Sequence, residues 1–117
     1  MKRRDEQLIQ EVRSYIDEHL YEEHSIKGLC QQFNINREKL QIGFHTLVQS
    51  TVHAYIIGQR IEQAARRLVE SDDSVKAIAL DSGYKKQRSF NKTFKSIYNL
   101  TPASYRRLHE QKQEAES

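Results

Sequence analysis

The sequence repeats itself. Ser25-Ile-Lys-Gly-Leu-Cys aligns with Ser74-Val-Lys-Ala-Ile-Ala at an offset of 49. After a slip of one residue the offset becomes 50: Leu40 then matches Phe90, Phe44 matches Phe94, Thr51 matches Thr101 and Tyr55 matches Tyr105. Two copies of so small a unit cannot stack as a solenoid, which needs about three or more repeats. Two similar units joined by one helix suit two similar surfaces meeting one long, periodic partner.

The charge pattern points to the nature of that partner. The formal net charge is only +3, but it is unevenly placed. From Ser82 to His109 there is no Asp or Glu, while Lys85, Lys86, Arg88, Lys92, Lys95, Arg106 and Arg107 all fall there. Residues 1–81 carry 11 basic against 13 acidic side chains. Such asymmetry between halves implies a polyanionic partner. At 117 residues the chain is one domain of two lobes. Hydrophobic residues make up a low 37%, yet they are strongly periodic, which excludes a disordered middle. The single cysteine, Cys30, excludes an internal disulfide and fits a reducing compartment. No apolar run is long enough for a membrane span or signal peptide.

The periodicity predicts an all-α fold of about seven helices. Leu8, Ile9, Val12, Tyr15, Ile16 and Leu20 mark a first helix over about 5–22. Ser25 caps a short second helix, and Asn36 caps a third over about 37–48. Thr51 opens the longest helix, whose apolar residues Val52, Tyr55, Ile56, Ile61, Ala64, Ala65 and Leu68 make it a central connector. Ser74 caps a short fifth helix that ends at Ser82-Gly83, where glycine suits a left-handed backbone. A sixth helix covers about 86–97, with Asn99 as its left-handed cap. Thr101-Pro102 opens a short last helix, and the polar tail from about His109 is expected to fray. The corresponding division is 1–50 for a first helix-turn-helix subdomain, 51–70 for a linker helix, 71–108 for a second subdomain and 109–117 for the tail.

Each repeat is a short helix, a tight turn and a longer helix, the helix-turn-helix arrangement whose second helix enters the DNA major groove. In the helix over 37–48, Leu40, Phe44 and Leu47 form the inner stripe, so Glu38, Gln41, Ile42 and His45 lie opposite. In the helix over 86–97, Phe90, Phe94 and Ile97 are expected inside, with Arg88, Asn91, Lys92 and Lys95 opposite and Gln87 near the tip. Arg pairs bidentately with guanine, and Asn or Gln with adenine. Glu accepts from cytosine N4, and Ile contacts a thymine methyl. Lys85 and Lys86 oppose the macrodipole at a helix start, at roughly 0.3–1 kcal/mol each; a phosphate there reverses the sign. Gly43 inside a helix costs roughly 1 kcal/mol relative to Ala, which close approach of a neighbouring helix or of DNA would explain.

These segments resemble the AraC/XylS family of bacterial transcription regulators over about residues 8–107. The resemblance rests on Gly83-Tyr84, Phe90, Phe94-Lys95, Thr101-Pro102 and Tyr105-Arg106, with Arg60, Ile61, Ala64 and Leu68 upstream in the connector. It implies two helix-turn-helix subdomains held by a linker helix, reading successive major grooves on one face of double-stranded DNA. By position, Glu38, Gln41 and Ile42 would be base contacts of the first reader, and Gln87, Arg88, Asn91 and Lys92 of the second. Arg37, Lys39, Lys85, Lys86 and Lys95 are the expected phosphate contacts. The chain departs from the family at Ile42 and Gly43, where a basic residue is common, and at Gln49, where glycine is usual. Many members also carry an effector-sensing domain. The start MKRRDEQ suits both a short stand-alone regulator and the DNA-binding half of a longer protein.

Other chemistries find no support in the sequence. Cys30 matches Ala79, as a small core residue would. His19, His24, His45, His53 and His109 show no metal-ligand spacing with paired cysteines. There is no Walker loop, dinucleotide fingerprint or nucleophile elbow. The expectation is therefore a sequence-specific regulator acting on double-stranded DNA in the bacterial cytoplasm, neither an enzyme nor dependent on a cofactor or metal. RNA polymerase is a further candidate partner. The alternative is a helical adaptor that binds an acidic protein, motivated by Glu38 and Ile42 on the first copy.

Overall fold

The computed structural model describes residues 2–116, with side chains described for 2–110. Among the described residues the chain forms seven helices and no strand: α1 (Arg3–Glu18), α2 (Ile26–Phe33), α3 (Arg37–Val48), α4 (Val52–Glu70), α5 (Val75–Asp81), α6 (Gln87–Tyr98) and α7 (Pro102–Glu116). None of these helices is long and apolar enough to cross a membrane. The chain divides into two compact units between Gln59 and Arg60, inside α4.

In the first unit α1 packs on α3 and α2, and α2 packs on α3. Ile9, Val12 and Ile16 of α1 and Leu40 and Phe44 of α3 are buried, as the periodicity predicts, together with Leu29 of α2. Val52, Tyr55 and Ile56, from the first half of α4, join the same core, and Cys30 packs against it half-buried. Gly43 is also buried. Tyr55 ties this unit together through its hydroxyl, which donates to Asp17 Oδ1 at 2.6 Å and accepts from Arg13 Nε at 3.3 Å. Burial first, and the bond to Asp17 second, push its phenol above the ordinary tyrosine range.

In the second unit α5 packs on α6, and α6 on α7. Ile61, Ala64, Ala65 and Leu68 of α4, Ile78 and Ala79 of α5, and Phe90 and Phe94 of α6 are buried. The rings form a continuous set: Tyr84 on Phe90 at 5.5 Å, Phe90 on Phe94 at 5.8 Å, and Phe94 against Tyr98 at 4.8 Å and Tyr105 at 5.4 Å.

Three expectations are corrected. The first helix stops at Glu18 rather than near 22. The His19 N–H bonds to both Tyr15 O and Ile16 O, and the His19 carbonyl accepts from Glu22 N–H at 3.1 Å and from His24 Nε2 at 2.7 Å. Those bonds satisfy the helix end as a turn. Ile97, expected inside, is 44% exposed; the neighbouring Tyr98 stacks on Phe94 in its place, with 26° between the rings. The last helix is longer than expected, its backbone helical to Glu116. The side chains of the expected frayed tail lie mostly outside the described residues.

Candidate nucleic-acid interface

The second reader is positioned by the turn before it. Ser74 Oγ accepts from Ala77 N–H at 3.0 Å and starts α5. At its end Ser82 bonds back to Ile78 O through both N–H, 2.9 Å, and Oγ, 2.7 Å. Gly83 then takes φ 97°, a region that disfavours residues bearing a Cβ, and Tyr84 N–H closes on Ala79 O at 3.0 Å. This reversal starts α6 with Phe90 and Phe94 turned fully inward.

Fixing those two rings fixes the opposite face. Gln87, Arg88, Lys92 and Lys95 are exposed there, and Lys85 and Lys86 are exposed just before the helix. Lys86 occupies the N-cap position, and no side-chain hydrogen bond caps this end. A lysine has no acceptor to offer, so the first-turn N–H groups of α6 remain available to an anion. Asn91 departs from the expected outward placement. It is half-buried, and its Oδ1 is buried without a hydrogen-bond partner.

The first reader has the same scaffold with different chemistry. Ser25 Oγ caps α2 through Gly28 N–H at 2.9 Å. Asn34 takes the left-handed backbone, φ 51°, where the second copy has Gly83, and Ile35 N–H closes on Cys30 O at 3.1 Å. Asn36 Oδ1 caps α3 through Lys39 N–H at 2.7 Å. Arg37, Glu38, Lys39, Gln41, Ile42 and His45 are all exposed, Ile42 at 57%. The outward surface of this reader is therefore mixed in charge and partly apolar, whereas every charged residue of α6 is basic.

Arg106 is a structural residue that counting charges misplaces. Its guanidinium donates to three backbone carbonyls: Nε to Leu68 O at 2.9 Å, and Nη2 to Ser71 O at 3.3 Å and Asp73 O at 2.6 Å. Arg106 thus holds the end of α4 and the following loop, and is not part of the free basic surface. Arg67 braces the same loop, donating to Asp73 and Asp81 at 2.8 Å each. Among the described residues no group of three or more His, Cys, Asp or Glu side chains is placed to hold a metal ion.

Comparison with known proteins gives a consistent result. A family model described as a helix-turn-helix domain matches residues 29–108. The chain is 31% identical over 101 residues to the regulatory protein SoxS of Salmonella typhimurium, covering 86% of this chain and 94% of that one. It is 33% identical over 94 residues to the raffinose operon transcriptional regulatory protein RafR of Pediococcus pentosaceus, covering 80% of this chain but 34% of RafR. Among solved structures, the DNA-binding domain of the global transcriptional factor AdpA, in complex with a target DNA, superposes with a TM-score of 0.81. The two are 27% identical over 91% of this chain and 96% of that one.

Proposed function

The chain belongs to the AraC/XylS family of DNA-binding transcription regulators, and from that premise we propose that it reads double-stranded DNA unequally with its two recognition helices. The observation that carries the reading is the contrast between two equivalent scaffolds: α6 exposes Gln87, Arg88, Lys92 and Lys95, and α3 exposes Glu38, Gln41 and Ile42. In this reading residues 1–50 and 71–108 are the two DNA-binding subdomains, 51–70 the linker helix and 109–117 a polar tail.

Base contacts come from Gln87, Arg88, Asn91 and Lys92 in the second reader and from Glu38, Gln41 and Ile42 in the first. Arg88 suits the paired acceptors of guanine, and Gln87 and Asn91 the acceptor–donor pair of adenine. Lys85, Lys86 and Lys95, with Arg37 and Lys39, hold phosphates and set register. For Asn91 to reach a base, its carboxamide must turn out of the position in which Oδ1 is buried. The site of action in this reading is the cytoplasm.

The test is a binding titration of a duplex selected from a random pool against a scrambled duplex, at several salt concentrations. Equal weak affinity for both overturns sequence-specific reading. Arg88→Ala costs about 1–3 kcal/mol at one base position if it reads a base edge. A uniform loss across all sequences makes Arg88 a phosphate contact instead.

A second reading concerns the first copy alone. Ile42 is a large apolar side chain, 57% exposed, near the acidic Glu38. That surface suits a protein partner such as RNA polymerase or an effector-sensing domain, with α6 as the DNA anchor. Ile42→Ser then weakens binding to purified polymerase and leaves the affinity for isolated DNA unchanged.

A further inference from the structure

The repeat makes His45 and Lys95 equivalent positions. Each stands in the last turn of its recognition helix. The His45 carbonyl accepts from Gln49 N–H at 2.9 Å, and the Lys95 carbonyl from Asn99 N–H at 2.8 Å. Gln49 and Asn99 share φ 61°. Both side chains are exposed, one residue after a fully buried phenylalanine, Phe44 or Phe94. The backbone therefore aims the two side chains from its recognition helix in the same way. Lys95 is a permanent cation, whereas imidazole gains its charge only within about pH 5–8.

We propose that His45 is the first reader's conditional phosphate contact, doing when protonated what Lys95 does at every pH. The inference rests on the DNA-binding reading above. A protonated ring donates from both nitrogens, and a phosphate oxygen accepts. Protonation and DNA binding then favour one another, so acidification brings the first reader onto DNA while the second stays engaged throughout.

The surroundings leave the ring free to act in this way. On α3, Glu38 stands two turns before His45, with Arg37 and Lys39 at the helix start, and Gln41, Ile42 and Gln49 around His45 are uncharged. From α1, Asp5 lines a groove with Glu38, Lys39, Ile42 and Thr46. The one charged residue of α2 is Lys27, in its first turn, and its last turn carries the neutral Gln31 and Gln32. The first half of α4 adds the exposed His53.

The experiment measures affinity of the full chain for a selected duplex between pH 8 and pH 6, with His45→Gln and His45→Lys as comparisons. His45 is exposed, so both variants keep the fold. The wild type is expected to tighten about five- to tenfold more than His45→Gln over that range, as one added charged contact requires. Its salt slope steepens by about 0.9 on acidification. At pH 8, His45→Lys is expected to exceed His45→Gln by the factor that the wild type reaches at pH 6. Using His45→Gln as the reference removes contributions from His19, His24, His53 and His109. Identical pH profiles for the wild type and His45→Gln overturn the inference while leaving DNA binding intact. A wild type that binds the duplex at neither pH overturns the DNA-binding reading as well.

Discussion

Gln49 and Asn99, fifty residues apart, hold the same left-handed backbone, both at φ 61°. Each ends a recognition helix by donating its N–H to the carbonyl four residues back. The repeat is therefore an equivalence of backbone geometry. It extends to the caps, with Thr51 and Thr101 accepting from N–H groups at 3.1 and 3.2 Å. It extends to the rings as well, with Tyr55 edge-on to Phe44 at 5.5 Å and Tyr105 edge-on to Phe94 at 5.4 Å.

The shared φ has unequal consequences. Asn visits the left-handed region readily, and Gln does so only at a cost of about 1 kcal/mol. Gln49→Gly is therefore expected to stabilise the protein by about 1 kcal/mol, and Asn99→Gly by less. Urea unfolding of both variants measures this. A lower midpoint for Gln49→Gly contradicts it.

The starts of the two recognition helices differ where their ends agree. Asn36 caps α3 at 2.7 Å, and Lys86 leaves α6 without a side-chain cap. Replacing Lys86 by Asn gives α6 the cap that α3 has, worth about 1 kcal/mol of stability. The same change removes a cation and occupies the N–H groups proposed to meet phosphate. DNA affinity is expected to fall uniformly across sequences, with a salt slope lower by about 1. Thermal unfolding and binding measured on the same preparation separate the two effects; a variant with unchanged affinity at low salt removes Lys86 from the interface.

Asn91 carries a related conflict. Its Oδ1 is buried without a partner, and leaving an acceptor unpaired costs about 1–3 kcal/mol. Asn91→Ala removes both the acceptor and the packing of a half-buried side chain. Stability is expected to hold or rise slightly, while discrimination for adenine at one base position is lost. A large drop in stability instead makes Asn91 a packing residue.

Most of the scaffold was legible because local chemistry determines it. Ser25, Asn36, Thr51, Ser74 and Thr101 each accept from the N–H three residues on, as their side chains and spacing predict. The alternation of Phe90 and Phe94 with exposed polar residues likewise places the α6 surface. What escaped depends on contacts distant in sequence. Arg106 reads as one more cation in an acid-free stretch, but it binds carbonyls more than thirty residues earlier. Ile97 has the right period for burial, yet the stack of Tyr98 on Phe94 takes that place. The carboxamide orientation of Asn91 has no sequence signal at all.

The structural role of Arg106 is itself testable. Three charge-assisted bonds to carbonyls make it a fastener, and Arg106→Met is expected to destabilise the protein by about 2–4 kcal/mol. Arg106→Lys recovers only part of this, since an ammonium cannot reproduce the planar fork. Neither variant alters the salt slope of DNA binding at temperatures where it remains folded. A reduced slope with unchanged stability would make Arg106 a phosphate contact instead.

The loop that Arg106 holds also carries a pH dependence. Asp73 accepts from Arg67 Nη2 at 2.8 Å, and this bond first, with Ser71 second, holds its carboxyl below the usual carboxylate range. A carboxyl depressed in the folded state takes up its proton first in the unfolded chain. Its stabilising contribution is fully present above about pH 4, the ordinary aspartate value, and disappears as pH falls through the lower folded value. Asp73 is exposed and Arg67 half-exposed, so the effect is small and salt screens it. Between about pH 4 and pH 2.5 the wild-type unfolding temperature is expected to fall more steeply than that of Asp73→Asn. The two curves run parallel above pH 5 and converge in high salt. Parallel curves through the acidic range would show that the Arg67–Asp73 pair contributes nothing to holding the α4–α5 loop.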